Sequence, residues 1–429
     1  MYLSSSRAAA PPPAEPTGSA AGRRRAWPGA GVPANVLALG SVSLVTDISS
    51  EMITAVLPMY VIFTLGLSPL QFGALNGMYF GATALVRLAA GHAADRWQRP
   101  KLVAGGGYAL SAACKLGLLA AGSSVPFLGA VIAADRTGKG LRTGPRDALI
   151  SLSSTPKTLG RSFGAHRAMD TAGAFLGPLV AFALLLATPE HYDTVFVASF
   201  VFAAFGVAIL ALLVRDRRAA VPAADRATVR AALGLLLRPG FRRVNIAVLL
   251  LGTVALSDSF VYLLVQQRLD ISEEYFPLLP LGTTGAYLLL ALPLGQLADR
   301  LGRLRVFVAG YGALLCAYLL LCGPGGGPVL LVVVLALHGV FYAATDGVLM
   351  AAVGPMVPAG LRSGGMSLIQ TGQSVATLGS SVLFGAAWSA YGLHTALVLA
   401  LVALAAAVLL AAWILPLSGT AAPTEENPE

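Results

Sequence analysis

Charged residues are scarce in this chain. Only 11% of its 429 residues are Asp, Glu, Lys or Arg, whereas 56% are hydrophobic. Soluble domains average about a quarter charged residues, so this chain has too few to cover a comparable surface in water. The composition therefore predicts a protein that lies in a lipid bilayer.

Several signatures of catalysis are also missing from the sequence. The three cysteines, Cys114, Cys316 and Cys322, lie in or at the ends of apolar runs and have neither metal-ligand spacing nor a disulfide framework. No nucleotide-phosphate loop or nucleophile–base pattern is present, which argues against an enzyme and against ATP-driven pumping. We therefore expect no catalytic residue, no metal and no cofactor.

Apolar runs long enough to cross a bilayer recur along the chain. A membrane helix needs about 20 mostly apolar residues. The candidates are 35–65, 70–91, 102–121, 125–147, 163–187, 194–214, 244–266, 276–297, 305–322, 328–350, 364–388 and 393–415. They predict an all-helical membrane fold of twelve transmembrane helices, the first of them kinked near Pro58.

The spans divide into two groups of six. The predicted organisation is a disordered tail 1–34, a six-helix bundle 35–214, a central loop 215–243, a second six-helix bundle 244–415 and a tail 416–429. The first tail is rich in Ala, Pro and Arg, a composition that cannot bury an apolar core.

The basic residues account for the formal net charge of +9 and lie at alternate ends of the spans. They cluster at Arg23–Arg25, after span 2, after span 4 and in the central loop, whereas the opposite loops are uncharged or acidic. Cytoplasmic loops carry an excess of Lys and Arg. We therefore expect a multi-pass protein of the cell membrane with both termini in the cytoplasm, and no nucleic-acid partner.

One eleven-residue stretch, 91–101, occurs again in diverged form at 295–305, about half the chain away. The positions shared by the two copies are Gly91, Asp95, Arg96 and Arg99 in the first, and Gly295, Asp299, Arg300 and Arg303 in the second. A repeat at this separation indicates two related halves. Two parallel six-span halves place a cavity at their interface and predict alternating access by rocking of the halves.

The 91–101 stretch resembles the loop signature between spans 2 and 3 of the major facilitator superfamily, and 295–305 resembles its weaker copy. The likeness covers the chain apart from its tails. It implies the fold of that superfamily, with the loop as a latch in which Asp95 faces the N-terminus of span 11, an end that favours a carboxylate. In that latch Arg96 and Arg99 pair with nearby acids. The alternative for these bases is plain anchoring at the cytoplasmic face.

Span 5 resembles the antiporter signature of drug–proton exporters. The spacing of that signature is kept at Gly164, Gly173, Gly177 and Pro178. Ala181 and Phe182 replace its closing glycine pair, so the match is partial. The resemblance implies a proton-coupled exporter, and ordinary close packing of helices is the alternative explanation.

Charged residues inside the predicted spans are further candidates, because a charge at bilayer depth is costly and usually functional. The candidates for proton coupling or cargo binding are Asp47, Glu51, Arg136, Lys139, Asp170 and Asp258. Asp47 and Glu51 share one face of span 1, and we expect both to face Arg136, with one carboxylate carrying the coupled proton. The alternative is a static buried ion pair.

These patterns together predict a secondary active transporter, specifically a monomeric proton-coupled exporter of a drug-like compound or metabolite. Its partners are the small-molecule cargo, protons and the bilayer. Arg136 and Lys139 leave open import or exchange of an organic anion. A membrane sensor or scaffold without transport is a lesser alternative, because the 215–243 segment is short for a signalling domain.

Overall fold

The described residues form long helices joined by short turns. The structure, a computed structural model, describes residues 32–82, 99–155, 158–189, 191–216, 233–358 and 361–416. No β-strand occurs within these ranges.

The first half contains six helices. They are α1 (Ala34–Met59), α2 (69–82 in its described part), α3 (Pro100–Ala121), α4 (Val125–Leu152), α5 (Leu159–Ala187) and α6 (Tyr192–Leu213). A π-helical turn, Tyr60–Thr64, follows Pro58 at the end of α1. Proline removes a helical hydrogen bond, so the irregularity falls where the sequence predicts it.

The second half contains six more helices, and the first of them is broken. They are α7a (Pro239–Val254), α7b (Asp258–Leu269), α8 (Leu279–Leu301), α9 (Arg303–Cys322), α10 (Gly327–Val353), α11 (Arg362–Tyr391) and α12 (Leu393–Ile414). A 3₁₀ turn, Glu273–Leu278, precedes α8. The sequence predicted one continuous span over 244–266. In the structure Leu256 N donates to Tyr318 Oη at 2.7 Å, and this bond from α9 replaces a helical one at the break.

The two halves use the same helix pairings. α1 packs on α5 and α6, and α3 packs on α4 and α6. In the second half α7a packs on α11 and α12, and α9 packs on α10 and α12. Each pairing in one half thus has its counterpart six helices later. The repeat inferred from the two loop motifs is confirmed by the packing.

The outer surface suits a lipid environment. Nine of the described helical segments are long and apolar enough to cross a membrane. α4 is outside that group because its second half carries a series of charged residues. Large apolar side chains lie exposed on the outside, including Leu212, Leu237, Leu289, Val329, Leu409 and Trp413. So much exposed apolar surface is typical of contact with a membrane.

The two ends of the bundle differ in their contacts. At one end, named here the terminal end, Asn35 Nδ2 donates to Ser153 Oγ (2.7 Å) and to the Arg215 carbonyl (3.2 Å), and Lys101 N donates to Asp216 (3.3 Å). The starts of α1 and α3 and the ends of α4 and α6 therefore lie together there. The opposite end, with the turns 66–68, 122–124 and 270–272, is named the distal end.

The halves are joined on the distal side of the bundle. Hydrogen bonds cross between Tyr192 and Glu273 (2.6 Å), between Leu70 and Ser389 (3.0 Å), and from Asn76 to both Ser257 (2.6 Å) and Ser381 (3.0 Å). Near the terminal end, by contrast, an added Cβ at Gly144, Gly164 or Gly347 would meet no atom of the described residues within 4 Å. Among the described residues, the molecule is therefore sealed at the distal end and open at the terminal end.

Close backbone approach between α2 and α11 makes the distal seal. A Cβ added at Gly73 would lie 2.3 Å from the Ser381 carbonyl oxygen, and one added at Gly385 would lie 2.4 Å from the Pro69 carbonyl oxygen. Only glycine allows backbones to approach this closely. The seal therefore depends on these two glycines, one from each half.

We predict that Gly73→Ala opens the distal seal. Overpacking costs about 1–3 kcal/mol, so the closed state should lose at least about fivefold in population. The measurement is the labelling rate of a Leu75→Cys reporter by an impermeant maleimide from the distal side, in a chain without its native cysteines.

The matched control for the seal is Gly312→Ala on α9, where an added Cβ meets nothing within 4 Å in the described structure. Its labelling rate should equal that of the parent. Equal rates for Gly73→Ala and Gly312→Ala would contradict the proposed role of the seal.

Candidate functional site

A cavity of about 270 Å³ lies between the two halves and is named here the central cavity. Its polar lining consists of Glu51, Thr54, Asn76, Tyr79, Asp258, Ser259, Tyr262 and Thr284. The rest of the described wall is apolar and includes Phe80, Pro178 and Phe276. A concave, mostly apolar space between domains with a few polar groups is the usual form of a small-molecule site.

Two further cavities continue from the central cavity toward the terminal end. The first, of about 130 Å³, is lined by Asp258, Tyr342 and Asp346. The second, of about 300 Å³, is lined by Asp346 and Gln373. Phe80 borders all three cavities. A polar path along the second half thus connects the terminal end with the central cavity.

In the first half, acids on α1 face bases on α4. Arg142 Nη2 lies 3.5 Å from Asp47 Oδ1, and Lys139 Nζ lies 4.0 Å from Glu51 Oε1. Asp47 and Arg142 are largely buried, whereas about a third of the Lys139 side chain is exposed. A buried charge must be paired to be tolerated, and these pairs join α1 to α4 within one half.

Arg136 does not pair with Asp47 or Glu51, so the pairing expected from the sequence is wrong. Its Nη2 lies 2.5 Å from Asp135 Oδ2, and its guanidinium lies over the Tyr79 ring at 4.0 Å from the centroid. The helix turns by about 100° per residue, so Arg136 and Arg142 project about 120° apart. Arg142 therefore reaches Asp47 on α1 and the Tyr108 ring on α3, whereas Arg136 reaches Tyr79 on α2.

Asp135 is the centre of a buried ion cluster that the sequence reasoning missed. Its Oδ1 accepts from Lys115 Nζ (2.5 Å) and from Ser111 Oγ (2.6 Å), and its Oδ2 binds Arg136. Lys115, Asp135 and Arg136 are all buried. The missed signal is Lys115, a lone base within the apolar run of span 3. The cluster has two bases and one acid.

The pairing continues along α5 toward the terminal end. Arg146 lies 3.0 Å from Asp147 and 3.6 Å from Asp170, and Arg167 lies 3.3 Å from Asp170. His166 Nε2 lies 2.8 Å from Ser43 Oγ on α1. The pairs from Glu51–Lys139 through Asp47–Arg142 to Asp170–Arg146 form a continuous series, named here the ion-pair ladder.

Asp258 is the acidic residue that the second half presents to the central cavity. It is the first residue of α7b, directly after the helix break. Tyr342 Oη donates to Asp258 Oδ1 at 2.5 Å, and His338 Nε2 lies 3.5 Å from the same oxygen. The sequence reasoning identified Asp258 but missed His338 and Tyr342. The available signal was a single histidine within the apolar run of span 10.

The glycines of the span 5 signature have different surroundings. A Cβ added at Gly173 would lie 2.3 Å from the Leu44 carbonyl oxygen, and one added at Gly177 would lie 2.7 Å from Glu51 Cβ. Both glycines therefore pack α5 against α1, and Gly177 lies directly behind Glu51. Gly164 has open space in the described structure, and Pro178 lines the central cavity.

The first copy of the loop motif is described only at its end. Gly91, Asp95 and Arg96 lie outside the described residues. Arg99 is exposed and directly precedes the first residue of α3. The latch implied for this loop stays a prediction.

The second copy of the motif forms the turn between α8 and α9. Arg303 lies 2.8 Å from Asp299 Oδ1, and its Nη1 donates to the Ala351 carbonyl near the end of α10 at 2.8 Å. Gly302 adopts φ +102°, a conformation that favours glycine. Asp299 and Arg303 thus tie this turn to α10 within the second half. Gly295 and Arg300, the other two motif positions, lie near the end of α8.

A twelve-helix bundle of two repeated halves around a central cavity with a few polar groups is the architecture of a membrane transporter. The family model of the Major Facilitator Superfamily matches residues 39–286 and 259–429 of the chain. An uncharacterized MFS-type transporter of Methanocaldococcus jannaschii is 30% identical over 365 residues, which cover 82% of this chain and 88% of that protein. The chain belongs to the major facilitator superfamily, and it is a transporter rather than an enzyme.

Other relatives match less of the chain. An uncharacterized protein of Mycobacterium tuberculosis is 30% identical over 157 residues, which cover 37% of this chain and 38% of that protein. The fold is similar to the crystal structure of the nucleoside transporter NupG, with a TM-score of 0.74, 16% identity and coverage of 89% of this chain and 98% of that one.

A POT family transporter in complex with 5-aminolevulinic acid has a TM-score of 0.74 at 13% identity, covering 90% of this chain and 97% of that one. At such low identity, both solved structures show the fold alone.

The charge count of the Asp135 cluster predicts which substitution destabilises the protein more. Asp135→Asn leaves Lys115 and Arg136 buried beside each other without their acid, and an uncompensated buried charge costs about 3–5 kcal/mol. Lys115→Met leaves the neutral Asp135–Arg136 pair and should cost less. The measurement is the thermal unfolding midpoint of the purified protein in detergent. A larger decrease of the unfolding midpoint for Lys115→Met than for Asp135→Asn would contradict this role of Asp135.

Proposed function

We propose that this superfamily member is a proton-coupled exporter of a small molecule, located in the cell membrane with its terminal end in the cytoplasm. The observation that supports the proposal best is the position of Glu51. This residue lines the central cavity and is also the first acid of the ion-pair ladder. A change in the charge of Glu51 therefore reaches both the cargo site and the contact between α1 and α4.

Competition for Glu51 supplies the coupling. A charged carboxylate on a mostly apolar wall is costly without a partner, so Glu51 favours being bound by Lys139, by cargo or by a proton. The Glu51–Lys139 distance of 4.0 Å is the longest of the ladder, so this pair is the easiest to separate. Cargo and proton that compete for one carboxylate bind alternately, and alternate binding is the requirement for antiport.

The distribution of charge supports the proposed orientation. Bases at the terminal end include Arg99, Lys101, Arg215, Arg238, Arg242 and Arg243, whereas the distal end carries the acids Asp193, Asp270, Glu273 and Glu274 and the base Arg268. An excess of bases marks the cytoplasmic side. A state open at the terminal end is then the state in which an exporter loads cargo from the cytoplasm.

The proposed mechanism of alternating access has two moving parts. The bundles 35–214 and 244–415 rock as bodies in a monomer, and 215–243 connects them. Closing the terminal end would bring Arg167 on α5, whose side chain is 78% exposed, toward Asp346 on α10. The loop motif with Asp95 would latch that closed end.

The bases offered as anion ligands have acidic partners in this state. Arg136 is bound by Asp135 at 2.5 Å, and Lys139 contacts Glu51. Neither base lines the described wall of the central cavity. An anion would have to displace a carboxylate from each base, so the contacts favour the exporter over the anion importer.

We predict that Glu51→Gln reduces solute-driven proton movement by at least about tenfold, a loss equivalent to about 1.4 kcal/mol. The reason is that a side-chain amide cannot take up and release a proton as a carboxylate does. The measurement is the pH change inside proteoliposomes on addition of a solute panel, at equal protein per vesicle. The matched control is Glu274→Gln at the distal end, which should behave as the parent does.

Two outcomes would contradict the coupling proposal. One is proton movement in Glu51→Gln equal to that of the parent. The other is solute movement by the parent with no accompanying proton movement, which would indicate a uniporter or an exchanger.

A further inference from the structure

The geometry points to an organic cation as the cargo: we propose that the central cavity binds a small amine with an apolar body between Glu51 of the first half and Asp258 of the second. The inference rests on the proposed function only in taking the central cavity as the cargo site. It adds the chemical class of the cargo and the second residue that binds its charge.

The charge of the cavity wall is the first observation. Among the described residues that line the central cavity, Glu51 and Asp258 are acidic and none is basic. The path from the terminal end adds a further acid, Asp346, which borders both outer cavities. A cavity lined with one sign of charge concentrates ligands of the opposite sign; in the path, the exposed Arg167 partly offsets the charge of Asp346.

The bases of the first half are directed away from the cavity or held by other acids. Arg136 is buried against Asp135, and Arg142 is buried against Asp47. Lys139 is the exception, because its contact with Glu51 is long and its side chain is 36% exposed. An ammonium group in the cavity can therefore take the place of Lys139 on Glu51, and Lys139 then returns to water at the open terminal end.

The carboxylate of Asp258 can accept a further contact from a ligand. Its side chain is 40% exposed although Tyr342 and His338 lie beside it. Within the described structure both of these contacts are made by Oδ1, so a ligand can reach Oδ2 without displacing either. Thr283 Oγ1 lies 3.4 Å from His338 Nδ1 on the far side of the imidazole ring and orients that ring. A cation between the two halves can thus contact one carboxylate oxygen from each.

The rest of the wall sets the shape of the cation. Phe80, Tyr262 and Phe276 supply aromatic surface, and Pro178 and Pro280 supply apolar surface. Aromatic faces attract cations as well as apolar groups. The volume of about 270 Å³ limits the cargo to a small molecule. An amine that carries one aromatic or aliphatic group can pair with the carboxylates and pack against the apolar wall.

The test is equilibrium binding of matched probes to the full chain in nanodiscs. The probes are 2-phenylethylamine and tetraethylammonium as cations, 2-phenylethanol as the neutral analogue and phenylacetate as the anion. We expect the cations to bind at least tenfold tighter than the other two. Glu51→Gln and Asp258→Asn should each weaken cation binding about tenfold or more, the effect of losing one charge-assisted contact of about 1.4 kcal/mol.

The controls separate binding from folding. Glu274→Gln should leave cation affinity unchanged, and the unfolding midpoint of each variant reports its fold. If Glu51→Gln does not fold, Asp258→Asn still tests the proposal, because its side chain is partly exposed. Failure of both cations to bind, equal or tighter binding of the alcohol or the acid, or unchanged cation affinity in the folded variants would overturn the proposal.

The result is distinguishable from a failure of the proposed function. Cation binding that depends on Glu51 and Asp258, together with transport that moves no protons, would support the cargo class and contradict proton coupling. Proton movement driven by neutral solutes, with no cation binding, would support proton coupling and contradict the cargo class.

Discussion

Charges inside a bilayer must be paired, and this constraint organises the first half of the molecule. α4 carries acids and bases from Asp135 to Asp147, and these are tolerated because α1, α3, α5 and α4 itself supply partners to them. Arg136 and Lys115 share Asp135, Arg142 takes Asp47, and Arg146 lies between Asp147 and Asp170. The pairing fixes how these helices face one another. It also leaves Glu51, the acid at the end of the ladder, as the residue that can exchange partners.

The two halves repeat the same packing but have different chemistry. Asp47 on α1 and Asp258 on α7b have similar sequence contexts, because each directly follows a hydroxyl residue. Asp47 is paired with an arginine of α4, whereas Asp258 contacts a tyrosine and a histidine of α10, the counterpart of α4. The first half therefore neutralises its charge internally, and the second half presents an acid to the cavity. In the proposed cargo site each half therefore contributes one acid, Glu51 from the first and Asp258 from the second, but only Glu51 also belongs to the ion-pair ladder.

The sequence was sufficient for the fold and for part of the site. Apolar run lengths predicted the helices, and the repeated loop motif predicted the halves, because both signals extend over many residues. The sequence did not predict ion-pair partners such as Asp135 for Arg136, because the pairing depends on how each helix is rotated about its own axis. The break before Asp258 was also missed, since Ala255-Leu256-Ser257 contains neither glycine nor proline and the break is stabilised by Tyr318 from another helix. Lone polar residues such as Lys115 and His338 form no spacing pattern, so only the three-dimensional contacts reveal them.

The central claim is that the protonation of Glu51 biases the rocking of one half against the other. The most direct measurement is the distance distribution between spin labels at Gly144 on α4 and Gly347 on α10, two positions with open surroundings in the described structure, recorded in nanodiscs at several pH values. The account predicts a wide and a narrow population whose ratio changes with pH in the parent and does not change in Glu51→Gln. A single distance at every pH, or the same pH response in Glu51→Gln as in the parent, would contradict it.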